Sequence, residues 1–149
     1  MEDVRNVTFA ELLRRRRDRI EHRLAELQAA VTDAEAVLQS SEAAEPQAAA
    51  ALTEAERALD QQIEKTRQLL IVAGAGVDAE VAATNPQAAQ NQFEYRIRET
   101  SHCKAAAAAV ADSKTALRSA RTATQTARAD FESSQNRLQG FVNHLLDVG

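Results

Sequence analysis

Residues 103–145 read CKAAAAAVADSKTALRSARTATQTARADFESSQNRLQGFVNHL, and every seventh position falls in one series: Cys103, Val110, Leu117, Thr124, Phe131, Leu138, Leu145. Moving toward the N-terminus, the same spacing from Leu24 gives Leu24, Val31, Leu38, Glu45, Leu52, Leu59, Thr66. A sustained seven-residue repeat keeps one stripe of a helix turned toward a partner helix, the arrangement of a coiled coil. Gly74 to Pro86 is the only glycine-bearing, helix-poor stretch between the two series, so the simplest partner for each half is the other half. The fold expected is all-α: a long antiparallel two-helix coiled coil, or helical hairpin, forming a single domain over 1–149. Helix one is expected over 8–72, a tip loop over 73–85 and helix two over 86–147. At about 1.5 Å rise per residue, each helix is roughly 90–100 Å long.

Local signals agree with these limits. Thr8 and Glu11 fit a T-x-x-E capping box, and Val7 and Leu12 stand where a hydrophobic staple would pack. Pro46 removes one backbone donor and is expected to kink helix one without ending it, because Leu38, Glu45 and Leu52 keep their phase. Gly74 suits a helix stop, and Pro86 suits the first position of a new helix after Asn85. Gly140 is expected to loosen the last turns of helix two. The tip exceeds what a tight helical connection needs, and Val77, Val81 and the alanines could add a turn or a docking surface there.

A fold centred near residue 79 sets Leu24, Val31, Leu38 and Leu52 opposite Ser134, Ala127, Ala120 and Ala106. The companion stripe sets Ala34, Ser41, Ala48 and Ala55 opposite Thr124, Leu117, Val110 and Cys103, so large residues meet small ones. A slip by one heptad would preserve the same phase. Charge favours the antiparallel course. Leu24 to Glu64 carries nine acids and one arginine, while the facing stretch, Glu94 to Ser134, carries seven bases and five acids. Exposed pairs of this kind contribute little each.

Composition narrows the function classes. With 3% aromatic residues and no tryptophan, there is no thick globular core to wall a catalytic pocket, and no enzyme is expected. The net charge of −4 argues against general nucleic-acid binding, and no apolar run reaches the length of a membrane span. One cysteine excludes an internal disulfide and fits a reducing, cytosolic setting; no signal-peptide core opens the chain. Cys103 lies on the seam and reads as a small hydrophobe. His22, His102 and His144 read as surface residues rather than metal ligands, and no cofactor is implied. Gly74-Ala75-Gly76 lacks the Lys-Ser/Thr ending of a phosphate loop.

The sharpest charge feature is Arg14, Arg15, Arg16 and Arg17, followed by Arg19 and Arg23. Four consecutive arginines ring a helix, so several face outward and suit carboxylates on a partner. No aromatic platform accompanies them for nucleic acid. Bulky apolar residues look too few on the opposite face for a membrane-surface helix.

The capped basic opening Val7-Thr8-Phe9-Ala10-Glu11-Leu12-Leu13-Arg14-Arg15-Arg16, the length and the Ala/Gln-rich helical halves resemble the central stalk proteins of bacterial type III secretion, of the flagellar FliJ and injectisome YscO type. The resemblance covers most of the chain through pattern and size. It implies a non-enzymatic antiparallel coiled coil, a cytoplasmic monomer peripheral to the inner-membrane secretion apparatus. Its terminal end would enter a hexameric export ATPase, and the protein would link that ATPase to the export-gate membrane protein; some members escort secretion chaperones. By position, Arg14, Arg15, Arg16, Arg17, Arg19, Phe141 and Leu145 would lie at the ATPase end. Pro46 and the high alanine content depart from many such stalks. Alternatives are a chaperone-like or secreted interaction protein of the same apparatus, or a phasin-like surface-coating amphipathic protein.

Overall fold

The computed structural model describes residues 8–148. Over them the chain is all-α, with four helices and no strand: α1 (Phe9–Val72), α2 (Ala79–Thr84), α3 (Pro86–Glu99) and α4 (Ser101–Val148). The backbone falls into two compact units. One joins Met1–Ala43 to Thr122–Gly149, and the other is Ala44–Arg121.

In the first unit, α1 opens where its caps predict. Thr8 Oγ1 accepts from the Glu11 backbone N–H at 3.2 Å, and the Leu12 N–H bonds the Thr8 carbonyl. Among the described residues, no bond from the Thr8 N–H to the Glu11 carboxylate completes the capping box. The Glu11 carboxylate instead accepts from Arg15 at 3.0 Å, a turn further along, because a guanidinium is a stronger donor than an exposed backbone amide. The expected staple partner Val7 lies outside the described residues. Burial on α1 begins at Ile20 and recurs at Leu24, Leu27, Val31, Ala34, Leu38 and Ser41, with Leu27 the deepest. On α4 it recurs at Thr124, Ala127, Phe131, Ser134, Leu138, Phe141 and Leu145. Steps of three and four residues put each series on one helical stripe. Arg128 reaches Glu42 at 3.6 Å across the two helices. Gly140 lies inside α4 without ending it.

In the second unit, α1 passes through Pro46 and continues to Val72 as one helix. It stops in a Schellman arrangement. Ala75 N–H bonds the Leu70 carbonyl, Gly74 N–H bonds the Ile71 carbonyl, and Gly74 takes φ 76°, which costs least without a Cβ. The expected loop 73–85 is not all loop. Asp78 accepts from the N–H groups of Glu80 and Val81 and starts the short α2. Asn85 ends α2 and caps α3 by accepting from Ala88 N–H, with Pro86 at the first helical position.

The expected single helix over 86–147 is interrupted at Thr100, whose backbone is extended (φ −65°, ψ 147°). Its N–H and its hydroxyl both turn back to the Ile97 carbonyl, and the next turn starts from the Thr100 carbonyl, which accepts from Lys104 N–H. The interruption has a packing cause. Ala89, Phe93 and Ile97 are buried at four-residue steps, whereas the series beyond starts at Cys103. In an unbroken helix, positions six apart point about a third of a turn away from each other. One extended residue resets the phase, so that Phe93, Ile97 and Cys103 form one core cluster, with Ile63 and Leu70 of α1 packed against it.

The register differs from the expected one. Cys103 lies beside Thr66, Sγ to Oγ1 3.5 Å, rather than Ala55, and Arg121 reaches Glu45 at 3.6 Å. The slip against Ala55 is roughly three helical turns. Within this unit, rising numbers on α1 meet falling numbers on α3 and α4, an antiparallel course. The added helix α2 and the core cluster move the match point, because Phe93 and Ile97 have no equivalent in the repeating seam.

Candidate interaction surfaces

The expected partner-binding residues divide between exposure and burial. Arg14, Arg15, Arg16, Arg17 and Arg19 are exposed on α1, whereas Phe141 and Leu145 are half-buried on the seam stripe of α4. The arginines are not equivalent. Glu11 pairs with Arg14 at 3.9 Å and Arg15 at 3.0 Å, Glu21 with Arg17 at 3.7 Å, and Glu26 with Arg23 at 3.2 Å. Among the described residues, Arg16 and Arg19 have no ion pair. Beside them stand three exposed apolar side chains, Phe9 (75%), Leu12 (53%) and Leu13 (49%), a combination the sequence reading did not single out. Heptad counting could have found it: Leu13 lies seven before Ile20, on the same stripe, yet carries no cover.

The second surface is the tip. Arg67 donates two hydrogen bonds to Glu94, at 2.9 and 3.0 Å, and also contacts Glu64, tying α1 to α3. Glu94 and then Glu64 raise the Arg67 pKa above its ordinary value. The Gln68 hydrogen bond, followed by Arg67, lowers that of Glu64. Arg96 spans the turn: its guanidinium donates to the Gly76 carbonyl and lies 5.5 Å above the Phe93 ring. A cavity of about 680 Å³ opens between Gly74–Ala79 and the α3 face carrying Gln92, Tyr95 and Arg96. Leu69, Ile71, Val72 and Val77 are exposed in the same tip. The sequence signal for α2 was Asp78 followed by Ala79-Glu80-Val81-Ala82-Ala83, a cap before helix formers.

A smaller cavity of about 320 Å³ lies at the α3–α4 interruption, between Lys65, Thr66, Leu69 and Leu70 of α1 and Thr100 and His102. The interruption itself is bridged by Lys104 and Glu99 at 2.8 Å, and that carboxylate raises the lysine pKa. Cys103 is 1% exposed and faces the Thr66 hydroxyl. His22 pairs with Glu26 at 2.9 Å, a two-member contact one turn apart. Among the described residues, no group of three or more His, Cys, Asp or Glu is placed to hold a metal ion. Nor is any helix long and apolar enough to cross a membrane. Two exposed apolar patches stand out, one of them flanked by arginines.

No protein-family model, curated protein or solved structure matches the chain.

Proposed function

We propose that this protein is a non-enzymatic stalk of a bacterial type III secretion apparatus, built as an antiparallel two-helix coiled-coil hairpin. It acts in the cytoplasm, peripheral to the inner membrane. Its partners are a hexameric export ATPase, the export-gate membrane protein and secretion chaperones. ATP is bound and hydrolysed by the ring, and the helical pair biases ring assembly and transmits its conformational changes. The observation that carries this reading is the pairing of an uninterrupted 64-residue helix, buried along one stripe, with an exposed arginine cluster in its first turns. A helix of that length can pass a displacement along its axis, and guanidinium groups ringing its end suit a collar of carboxylates.

Purified protein mixed with an export ATPase tests the proposal. The wild-type chain is expected to bind the ring and raise its ATPase rate, less so at raised salt. Reversing Arg14, Arg15 and Arg16 to Glu is expected to abolish both effects while the helical circular dichroism signal stays nearly intact. Binding and stimulation unchanged in the triple variant would reject this end as the contact. Loss of helicity alongside binding would make the cluster part of the fold. An association with an export substrate instead would favour the chaperone-like reading.

A further inference from the structure

The first three turns of α1 carry a face that the rest of the first unit leaves bare. With 3.6 residues per turn, Phe9, Leu12, Leu13, Arg16 and Ile20 fall on one side of the helix. From Ile20 onward this side is the half-buried seam; before it, Phe9, Leu12 and Leu13 are exposed. Arg128 of α4 contacts Glu42 of α1, and α4 has about as many residues left beyond Arg128 as α1 has between Glu42 and Ile20. The described residues of α4 therefore reach about as far as Ile20, and Phe9, Leu12 and Leu13 lie beyond them.

Charge on these turns is sorted around the apolar face. Arg16 stands within the apolar face, Arg17 and Arg19 border it, and Glu11 and Asp18 lie on the opposite side of the helix. The acids already have partners to spare: Glu11 is held by Arg14 and Arg15, and Glu21 by Arg17. Arg16 and Arg19, next to the apolar side chains, have no acid partner among the described residues. Bulky apolar groups bordered by unpaired arginines, with carboxylates turned away, match an interface that is apolar in depth and anionic at its surface. A second copy fits worse, because two such ends bring like charges together.

We infer that residues 8–20 form an interfacial anchor that lays Phe9, Leu12 and Leu13 into an anionic lipid surface. Arg16 and Arg19 contact its phosphates. The sequence expectation that bulky apolar residues are too few for a membrane-surface helix gives way to the exposure of Phe9, Leu12 and Leu13 on one face; three such side chains and a few arginines make the attachment weak, reversible and sensitive to salt. It does not rest on the stalk proposal: the chain could fail to engage any ATPase and still bind such a surface. Should both hold, lipid and ring compete for the same arginines.

Liposome binding by the full chain tests the inference. The protein is expected to sediment with mixed phosphatidylglycerol–phosphatidylcholine liposomes at low salt and to remain in solution with pure phosphatidylcholine. Arg16→Gln with Arg19→Gln should lower partitioning about 25-fold, from about five-fold for each arginine near the surface. Arg14→Gln with Arg15→Gln should lower it less, because those arginines lie farther from the apolar face and are paired to Glu11. The chain has no tryptophan, so Phe9→Trp reports on this face alone, and its emission should shift to the blue with the anionic liposomes. Emission unchanged by anionic liposomes would overturn the inference. So would binding that Phe9→Ser with Leu13→Ser leaves untouched, or sedimentation showing that the face is covered by a second copy. Loss of ATPase stimulation in the serine variant with liposome binding intact would reject the lipid contact and leave a protein contact in its place.

Discussion

Thr66→Cys should close a disulfide with Cys103 inside one chain. The Thr66 hydroxyl oxygen and the Cys103 sulfur stand 3.5 Å apart, 37 residues apart in sequence, both buried. A disulfide needs about 2 Å between sulfurs, and the longer C–S bond of the new side chain takes up part of the difference. Closing a loop of that length removes chain entropy from the unfolded state worth about 4 kcal/mol. The substitution also loses the Gln62 hydrogen bond to the threonine hydroxyl, at a cost of about 1 kcal/mol. The oxidised variant should therefore gain about 4 kcal/mol over its reduced form less any strain, and about 3 kcal/mol over wild type, read as a shift of the urea midpoint by circular dichroism with and without reductant. Because Cys103 is the only native cysteine, a monomer that loses both thiols on mild oxidation can contain only this bridge. Ala55→Cys is the control: it is the partner of Cys103 in the register read from the repeat alone. Ready closure by Ala55→Cys, with Thr66→Cys staying reduced or linking two chains, would refute the register and the core cluster built on it.

Ile97→Ala should be a costly truncation, about 3 kcal/mol, because Ile97 is fully buried in the cluster with Phe93 and Cys103. Leu117→Ala should follow at about 2–3 kcal/mol, and Leu38→Ala, only half-buried, should cost clearly less; equal costs measured by urea unfolding would contradict the burial order. A double-mutant cycle on Arg67→Ala and Glu94→Ala should return a coupling of about 0.5–1 kcal/mol that falls with added salt, since both side chains keep roughly a third of their surface in water. Glu99 raises the Lys104 pKa, so the contribution of this pair is complete below the usual lysine value and is lost as pH climbs through the raised one. The difference in thermal midpoint between wild type and Lys104→Gln should accordingly vanish at strongly alkaline pH and persist at neutral pH.

The exposed end of α1 was half legible before the structure. Arginine at four consecutive positions guarantees outward charge whatever the fold, and Arg14–Arg17 and Arg19 are indeed exposed. Phe141 and Leu145 carry seam spacing and are half-buried, so their apolar character reads first as packing. The bare face at Phe9, Leu12 and Leu13 was legible only in part: Leu13 stands seven before Ile20 on the seam stripe, but the register that leaves it beyond the described residues of α4 is tertiary.

By itself the sequence determined the helical class, the seam and the punctuation. Spacing of three and four residues selects the buried stripe from Ile20 to Ser41 and from Cys103 to Leu145, since only a helix brings those positions to one side. Thr8, Gly74, Asn85 and Pro86 fix helix ends through short-range hydrogen bonds and backbone preferences that need no tertiary contact. Only the tertiary structure decided the register and the interruption at Thr100, whereas the short α2 has a local signal in the Asp78 cap. A heptad seam looks the same after each slip, so it cannot choose its own alignment. That choice falls to the residues that break the repeat: Phe93 and Ile97 seated beside Cys103, and Arg67 held by Glu94. Burying Ile97 and Cys103 in one cluster required a phase change, and the chain made it by taking one residue, Thr100, out of the helix.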